Sequence, residues 1–546
     1  MTQEDLYDHI LVRQDFFETE RKPVESEWEA INQLILPRLE FMLKPESKGG
    51  RIGTKIYNGL PVSIARLAAD GLFGYLVSPN LRWMKLCMAN RKLEESPEVK
   101  TWLQECEEQL YYAFRSGFYP AIHEFFEIGV KLGTAIMYID EDLKNQRVVF
   151  DTRELAEFYI AENKFGIVDT WHRKYKLAAR EAVKVFDENK LPEEVKKDAK
   201  AKGNQDNMYE FLHAVYPNED KIHGKLDSKN KDFYSGYLML DSKKKIMLKE
   251  SGYNKFPGPV WRWRKGNKGP WGCGPGHDSL VDIFGLNQIR KDAMKAVHLA
   301  LDPALNVPDD MERVRVSPHG INRYSDPQRM IYPVHIPANF PATFELENKI
   351  EKAIEKHFMV EFFMLLSRQE VQKTATEIME LAGEKATLAV AVVGNIIDEG
   401  IEPSIDRTFT IEMDAGRMPE PPPEIYGEEL EVEYLGQLAQ AQKKWIESQG
   451  VQQGLALSIP FWEHFPEAKD IINSIETQRK ILVGTGWPQE GIRSKEEVEE
   501  IQRVRAEEVQ REKTMQGVER MADIAPKVSK KVEPGSIMEK MEKGAK

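Results

Sequence analysis

Seven prolines fall between Pro303 and Pro341, at 303, 308, 318, 327, 333, 337 and 341. Each removes a backbone donor and clashes inside a helix, so no long helix fits there. On both sides the pattern is helical. One helix is expected over 275–302, regular from about 277 to 301 and opened by Gly272-Cys273-Gly274-Pro275-Gly276. The other is expected over 345–366. Both would be roughly 33–37 Å long at 1.5 Å per residue, which suits an antiparallel pair that leaves the main body and returns. A structureless loop as long as 303–344 is improbable in a compact domain. Val307, Val314, Val316, Ile331, Val334 and Ile336 allow short strands, so a small subdomain is expected at the tip of the pair.

In the second helix Leu346, Ile350, Ile354, Phe358, Phe362 and Leu366 recur every four residues as one apolar stripe. Glu347, Glu351 and Glu355 share another face, flanked by Lys352 and Lys356. In the first helix Leu286, Ile289, Ala293, Val297 and Ala300 form the stripe. Two readings stand: an ordinary hairpin packed on its own domain, or a self-associating spoke that presents its charges to neighbours or to a lumen. A polar link over 367–373 follows. Then Thr374 and Glu377 form a capping box that opens a third helix, which Gly400 and Pro403 are expected to stop.

The 546 residues suggest three or four domains, and 41% hydrophobic residues can bury a large core. A net charge of −13 argues against a general nucleic-acid binder. Three scattered cysteines make neither a disulfide framework nor a zinc site, and a reducing compartment is expected. No signal peptide or membrane span is expected; the longest apolar run, 386–397, is far below the about 20 residues needed. Helices are expected over 1–45 (broken by Pro23 and Pro37), 56–78 and 98–133. Strand patterns follow at 134–139, 147–151, 157–161 and 167–175, then short helices at 177–186 and 192–202. Strands resume at 209–216, 234–240 and 246–249. Asp140-Glu141-Asp142 reads as a solvated turn in preference to a metal site. In 260–265, bases alternate with Trp261 and Trp263, as in an edge strand with snorkelling arginines or, less simply, a phosphate-contacting strand. A strand is expected at 409–413, a rigid spacer at 419–423, and helices at 427–449, 467–483 and 494–513. There is no Walker motif, no zincin pair and no serine elbow. No catalytic, cofactor or metal residue is assigned.

The order of motifs resembles the head-to-tail connector (portal) proteins of short-tailed bacteriophages. The matching pieces are Trp28 with Leu36-Pro37, 55–79 followed by Trp83, Gly133-Thr134-Ala135, Gly166-Ile167-Val168-Asp169 and Tyr175-Lys176-Leu177. Further on come Gly272 to Gly276, Thr374 to Ile378, Thr485-Gly486-Trp487-Pro488 and Arg493 to Val498. The resemblance implies a predominantly helical α+β subunit in a ring, usually of twelve copies, at one capsid vertex of the virion, assembled in the host cytoplasm. It implies a wing (1–274), stem helices (275–302 and 345–366), a clip (303–344), a tunnel loop (367–374), a wing long helix with a return strand (375–424), a helical crown (425–513) and a tail (514–546). Arg368, Gln369, Glu370, Gln372 and Lys373 would line the DNA channel, with Glu347, Glu351, Glu355, Lys352 and Lys356 as lumen candidates on the stem. Arg313, Arg315, Arg323 and Arg329 are candidates for contacting the tail adaptor. The implied partners are other copies of the chain, double-stranded DNA, the terminase large subunit, a tail adaptor, and the major capsid and scaffold proteins, with no membrane. The alternative is a nucleic-acid-processing enzyme with a dispersed active site.

Overall fold

A computed structural model describes residues 3–35, 56–307, parts of 309–333, 340–365, 392–428 and 430–435, with short gaps at 223–224, 226, 241–244, 246 and 267–268. The chain divides into two units, 1–442 and 443–546. In the second unit the described residues, Ser458, Gln478, Val498, Ile501 and Arg503 to Arg505, are all helical.

The first unit is tied together by α1 (Gln3–Ile35), a single 33-residue helix that runs through Pro23. A break there would save the about 3 kcal/mol that an interior proline costs. Packing at both ends outweighs that cost. Tyr7 and Ile10 are buried against Leu212, Ala214 and Leu238 of a sheet. Trp28, Ile31 and Leu34 are buried in the main core, where Trp28 meets Trp271 edge-on at 4.8 Å. Between them Arg21, two residues before the proline, donates to the carbonyls of Ala156 and Phe158 at 2.7 and 2.6 Å.

The main core is built from α2 (Leu60–Leu76), α3 (Pro97–Phe114) and α4 (Phe118–Leu132). Gly133, at φ +71°, ends α4 in the left-handed region where glycine carries no Cβ penalty. The chain then enters β2 (Thr134–Asp142) and β3 (Arg147–Arg153); β1 (Met84–Met88) precedes them. Asp140 to Asp142 belong to β2, paired with Val149, Val148 and Arg147, so the expected turn lies one step later. Next come β4 (Phe158–Glu162), β5 (Val168–Ala178), α5 (Ala179–Val185), α6 (Glu193–Lys200), β6 (Met208–Pro217), β7 (Phe233–Met239), β8 (Met247–Tyr253) and β9 (Val260–Arg262). β4 to β8 form a five-stranded antiparallel meander, and β3-β2-β9 a separate three-stranded sheet. One face of the meander carries α1. The other packs Tyr175 and Phe211 against Ala179, Ala182, Phe186 and Val195 of the α5–α6 region.

Three expectations from residue 400 onward are overturned. The helix does not stop at Gly400: residues 392–396 are helical and continue through a π turn (Ile397–Ile401) into α11 (Glu402–Asp414). The return strand expected at 409–413 is therefore helix. Its β-branched run read as strand, but Ile405, Thr408 and Ile411 fall on one buried helical face. Conversely, the helix expected from 427 contains β12 (Leu430–Tyr434), antiparallel to β1. Leu430 and Tyr434 fit both periods, since a spacing of four serves helix and strand alike. β1 decides the outcome by offering a strand edge.

Candidate functional site

The hairpin grows from a glycine-rich root. α7 (Pro275–Asp278) follows Gly274, and α8 (Leu280–Leu301) follows Ser279. The root lies backbone against backbone on the end of α4. A Cβ added at Gly276 would stand 2.1 Å from the Lys131 carbonyl oxygen, and one at Gly272 2.3 Å from that of Gly133. The glycines are thus required by close approach.

The return helix, α9 (Phe340–His357), starts five residues earlier than expected, with Pro341 in its first turn, where the missing N–H is harmless. The single helix expected over 345–366 is broken. Met359 sits at φ +54°, and α10 (Val360–Leu365) follows. Tertiary packing causes the break, because Phe363 lodges on α2. Its ring lies over Gly71, where an added Cβ would be 2.3 Å away, and stacks on Tyr75 at 6.2 Å.

α8 and α9 are joined by charge. Arg290 Nη1 donates to both oxygens of Glu347, at 3.1 and 3.2 Å. Asn58 Nδ2 donates to Glu351 at 3.0 Å and to Glu347 at 3.4 Å. Asn287 Oδ1 accepts from the Tyr57 amide at 2.7 Å, and Lys291 lies over the Tyr57 ring at 5.5 Å. Residues 56–59 thus brace the root. His357 and Asp282 approach to 3.7 Å across the pair.

The expected common face of three glutamates does not form an exposed stripe. Glu347 is only 4% exposed, held by Arg290 and Asn58; Glu351 and Glu355 are half-buried. Lys352 and Lys356 are exposed. Leu346, expected in the apolar seam, is 49% exposed, while Ile354 and Phe358 are buried. Near its root the hairpin buries Ile283, Leu286, Ile354 and Phe358, while Val281 and Phe284 are exposed. Toward its tip Met294, Val297, Leu299 and Leu301 of α8, and Phe344 and Leu346 of α9, remain exposed.

At the tip, β10 (Leu305–Asn306) pairs with β11 (Tyr332–Pro333). Arg315 and Asn322 clamp one another: the Arg315 amide donates to Asn322 Oδ1 at 2.8 Å, and Asn322 Nδ2 to the Arg315 carbonyl at 2.9 Å. The Arg315 and Arg323 side chains are exposed. Arg313 and Arg329 lie outside the described residues, as do Arg368, Gln369, Glu370, Gln372 and Lys373, the capping box at Thr374 and most of the region 425–513.

A second charged cluster went unread in the sequence. Arg262, 3% exposed, does not snorkel to solvent. Its guanidinium meets Glu162 and Glu399 and donates to the Gly166 carbonyl at 2.9 Å; its backbone amide donates to Glu399 at 2.9 Å. Lys265 takes the other oxygen of Glu162 at 2.6 Å. Burial would lower the Arg262 pKa, but the Glu399 and Glu162 carboxylates outweigh it and hold the group above its ordinary value. Asn395 donates to the Trp263 carbonyl at 3.3 Å, so side chains of 392–401 cap the open edge of β9. Only the alternation of tryptophan and arginine hinted at a buried role; Glu399 carries no local signal.

Among the described residues no group of three His, Cys, Asp or Glu side chains is arranged to hold a metal ion, and no helix is long and apolar enough to cross a membrane. Residues 8–493 match the family described as bacteriophage head to tail connecting protein. The chain is 26% identical over 508 residues to the portal protein of Salmonella phage epsilon15, covering 91% of this chain and 90% of that one. It is also 26% identical over 444 residues to the probable portal protein of Bordetella phage BPP-1, covering 80% and 79%.

Proposed function

The chain belongs to the bacteriophage head to tail connecting proteins, and on that premise we propose that it acts as a phage portal, closing into a ring of twelve copies at one capsid vertex. The carrying observation within the fold is the α8–α9 hairpin. It leaves the main core with Met294, Val297, Leu299, Leu301, Phe344 and Leu346 uncovered along its outer half. A helical pair too thin to bury both of its faces gains by packing on copies of itself.

In this reading α8 and α9 are the stem, 303–344 the clip and 367–374 the tunnel loop. DNA passes through the ring during packaging and ejection, driven by the terminase large subunit. Arg368 and Lys373 touch the phosphate backbone transiently. The clip, with Arg313, Arg315, Arg323 and Arg329, receives the tail adaptor, and the ring is built in the host cytoplasm with scaffold and major capsid proteins. The family match gives the enzymatic alternative no support. The test is the mass of the purified assembly by native mass spectrometry, with particle images. A closed ring near twelve copies with a central hole is expected. A chain that stays near its 62.9 kDa monomer mass even with scaffold added would end the proposal.

A further inference from the structure

The two strands of the β1–β12 sheet differ in how their outer edges are closed. In an antiparallel pair, alternate residues turn their backbone groups away from the partner strand. On β1 these are Met84, Leu86 and Met88, and side chains take all three amides. Tyr111 Oη accepts from Met84, Glu107 from Leu86 and Glu94 from Met88, each at 2.9 Å. That edge is sealed against a further strand. On β12 the residues turned toward β1 are Glu431 and Glu433, opposite Cys87 and Lys85, and beyond them the Leu435 amide donates to the Trp83 carbonyl at 2.7 Å. Leu430, Val432 and Tyr434 therefore turn their backbone groups to the other edge. They are half-buried, and among the described residues no group accepts from the Val432 or Tyr434 amide. Tyr434 Oη is also buried without a hydrogen-bond partner among the described residues.

The surroundings of this edge are acidic. Burial raises the Tyr434 pKa, and Glu402, Asp398 and Asp406, on the π turn and α11, add to the rise. Burial also raises that of Glu402, with Asp406, Asp398 and Glu431 adding. Lys255 pairs with Asp406, and Arg91 reaches Glu431 at 3.8 Å, but among the described residues Asp398 and Glu402 have no cationic partner. An unpaired strand edge is a template for another strand, and charge on it decides which strand is accepted. Like charges set opposite each other across strands are destabilising, so β12 of a second copy is rejected; opposite charges are favourable.

We propose that the outer edge of β12 docks an extended segment of another protein, one that alternates basic with β-branched residues and adds to the sheet as a third strand. Its basic residues lie beside Glu431 and Glu433 on one face, and its β-branched residues beside Leu430, Val432 and Tyr434 on the other. Backbone hydrogen bonds supply the affinity and the carboxylates supply the selection. This goes beyond the portal reading and holds for the single chain whether or not a ring forms.

The test uses the purified full chain and a fluorescent heptapeptide that alternates lysine with valine. Binding is expected, with residue-resolved hydrogen exchange slowed at the Val432 and Tyr434 amides and unchanged at Glu431 and Glu433, which already bond to β1. A peptide with glutamate in place of lysine is expected to bind about 10-fold more weakly. Val432→Pro removes one outward donor and none bonded to β1, and is expected to weaken the lysine peptide by about 10-fold. Glu431→Lys combined with Glu433→Lys is expected to reverse the preference between the two peptides. No binding of the lysine peptide, equal binding of both peptides, slowed exchange confined to other segments, or Val432 and Tyr434 amides already protected in the chain alone would each overturn the proposal. If Val432→Pro does not fold, the charge-reversed variant decides: an unreversed preference overturns the proposal. If that variant also fails to fold, the exchange pattern of the wild-type chain decides.

Discussion

Arg262 shows how one buried charge is made tolerable. Two carboxylates, a lysine and a carbonyl surround it. Removing one partner of such a cluster typically costs about 3–5 kcal/mol, because a charge is left behind without compensation. Arg262→Met should therefore lower the denaturant midpoint sharply, since Glu162 keeps Lys265 but Glu399 keeps no cation among the described residues. Adding Glu399→Leu should restore much of the loss. A single variant within about 1 kcal/mol of wild type would show that the cluster is screened like a surface ion pair. His172 makes a second residue-scale case. Burial pushes its pKa down from 6.5 to about 3, with Arg13 and His9 adding in the same direction; Gln14 lies 3.1 Å from Nδ1, and Phe17 packs on the ring. The unfolded chain takes up a proton near pH 6.5 and the folded chain resists until about pH 3. Its contribution is thus intact above pH 6.5 and lost as pH falls through that window, by about 1.4 kcal/mol per pH unit for this one group. In a pH series of unfolding midpoints, His172→Gln should flatten the acid limb; an unchanged limb would assign it to other groups.

At the scale of elements, the hairpin and its tip separate by what holds them. The root is fixed by glycine contacts, by residues 56–59 and by the Arg290–Glu347 pair. Among its described residues the tip holds two-residue strands and the Arg315–Asn322 clamp, and none of these residues is a buried hydrophobic. Deleting 306–339 and joining the helices by a short linker should therefore leave the wing folded and rings countable in particle images, while abolishing tail attachment. Tails that still join would remove the clip assignment. The existence of these helices was legible from period and proline placement. The break at Met359 was not, because the pattern from Leu346 to Phe358 runs on without a glycine or proline, and the cause is a pocket for Phe363 on α2.

For the whole molecule, the class and order of elements were legible from residue pattern: helices first, a β-rich stretch, then a hairpin around a proline-rich excursion. Those features come from local chemistry, since side-chain period, proline and glycine act within a few residues. The resemblance to portal proteins also lay in the order of short motifs, and the family match over 8–493 agrees with it. Long-range packing sets the path of α1 through Pro23, the strand at 430–434, the helix at 402–414 and the buried face of α9. In each case two local readings were close in energy and a distant partner chose between them. β1 offered an edge to Leu430–Tyr434, the meander and the main core gripped α1 at both ends, and Arg290 drew Glu347 inward. Contacts across tens or hundreds of residues leave no mark in a window of ten, so the charge stripe was readable while its orientation was not.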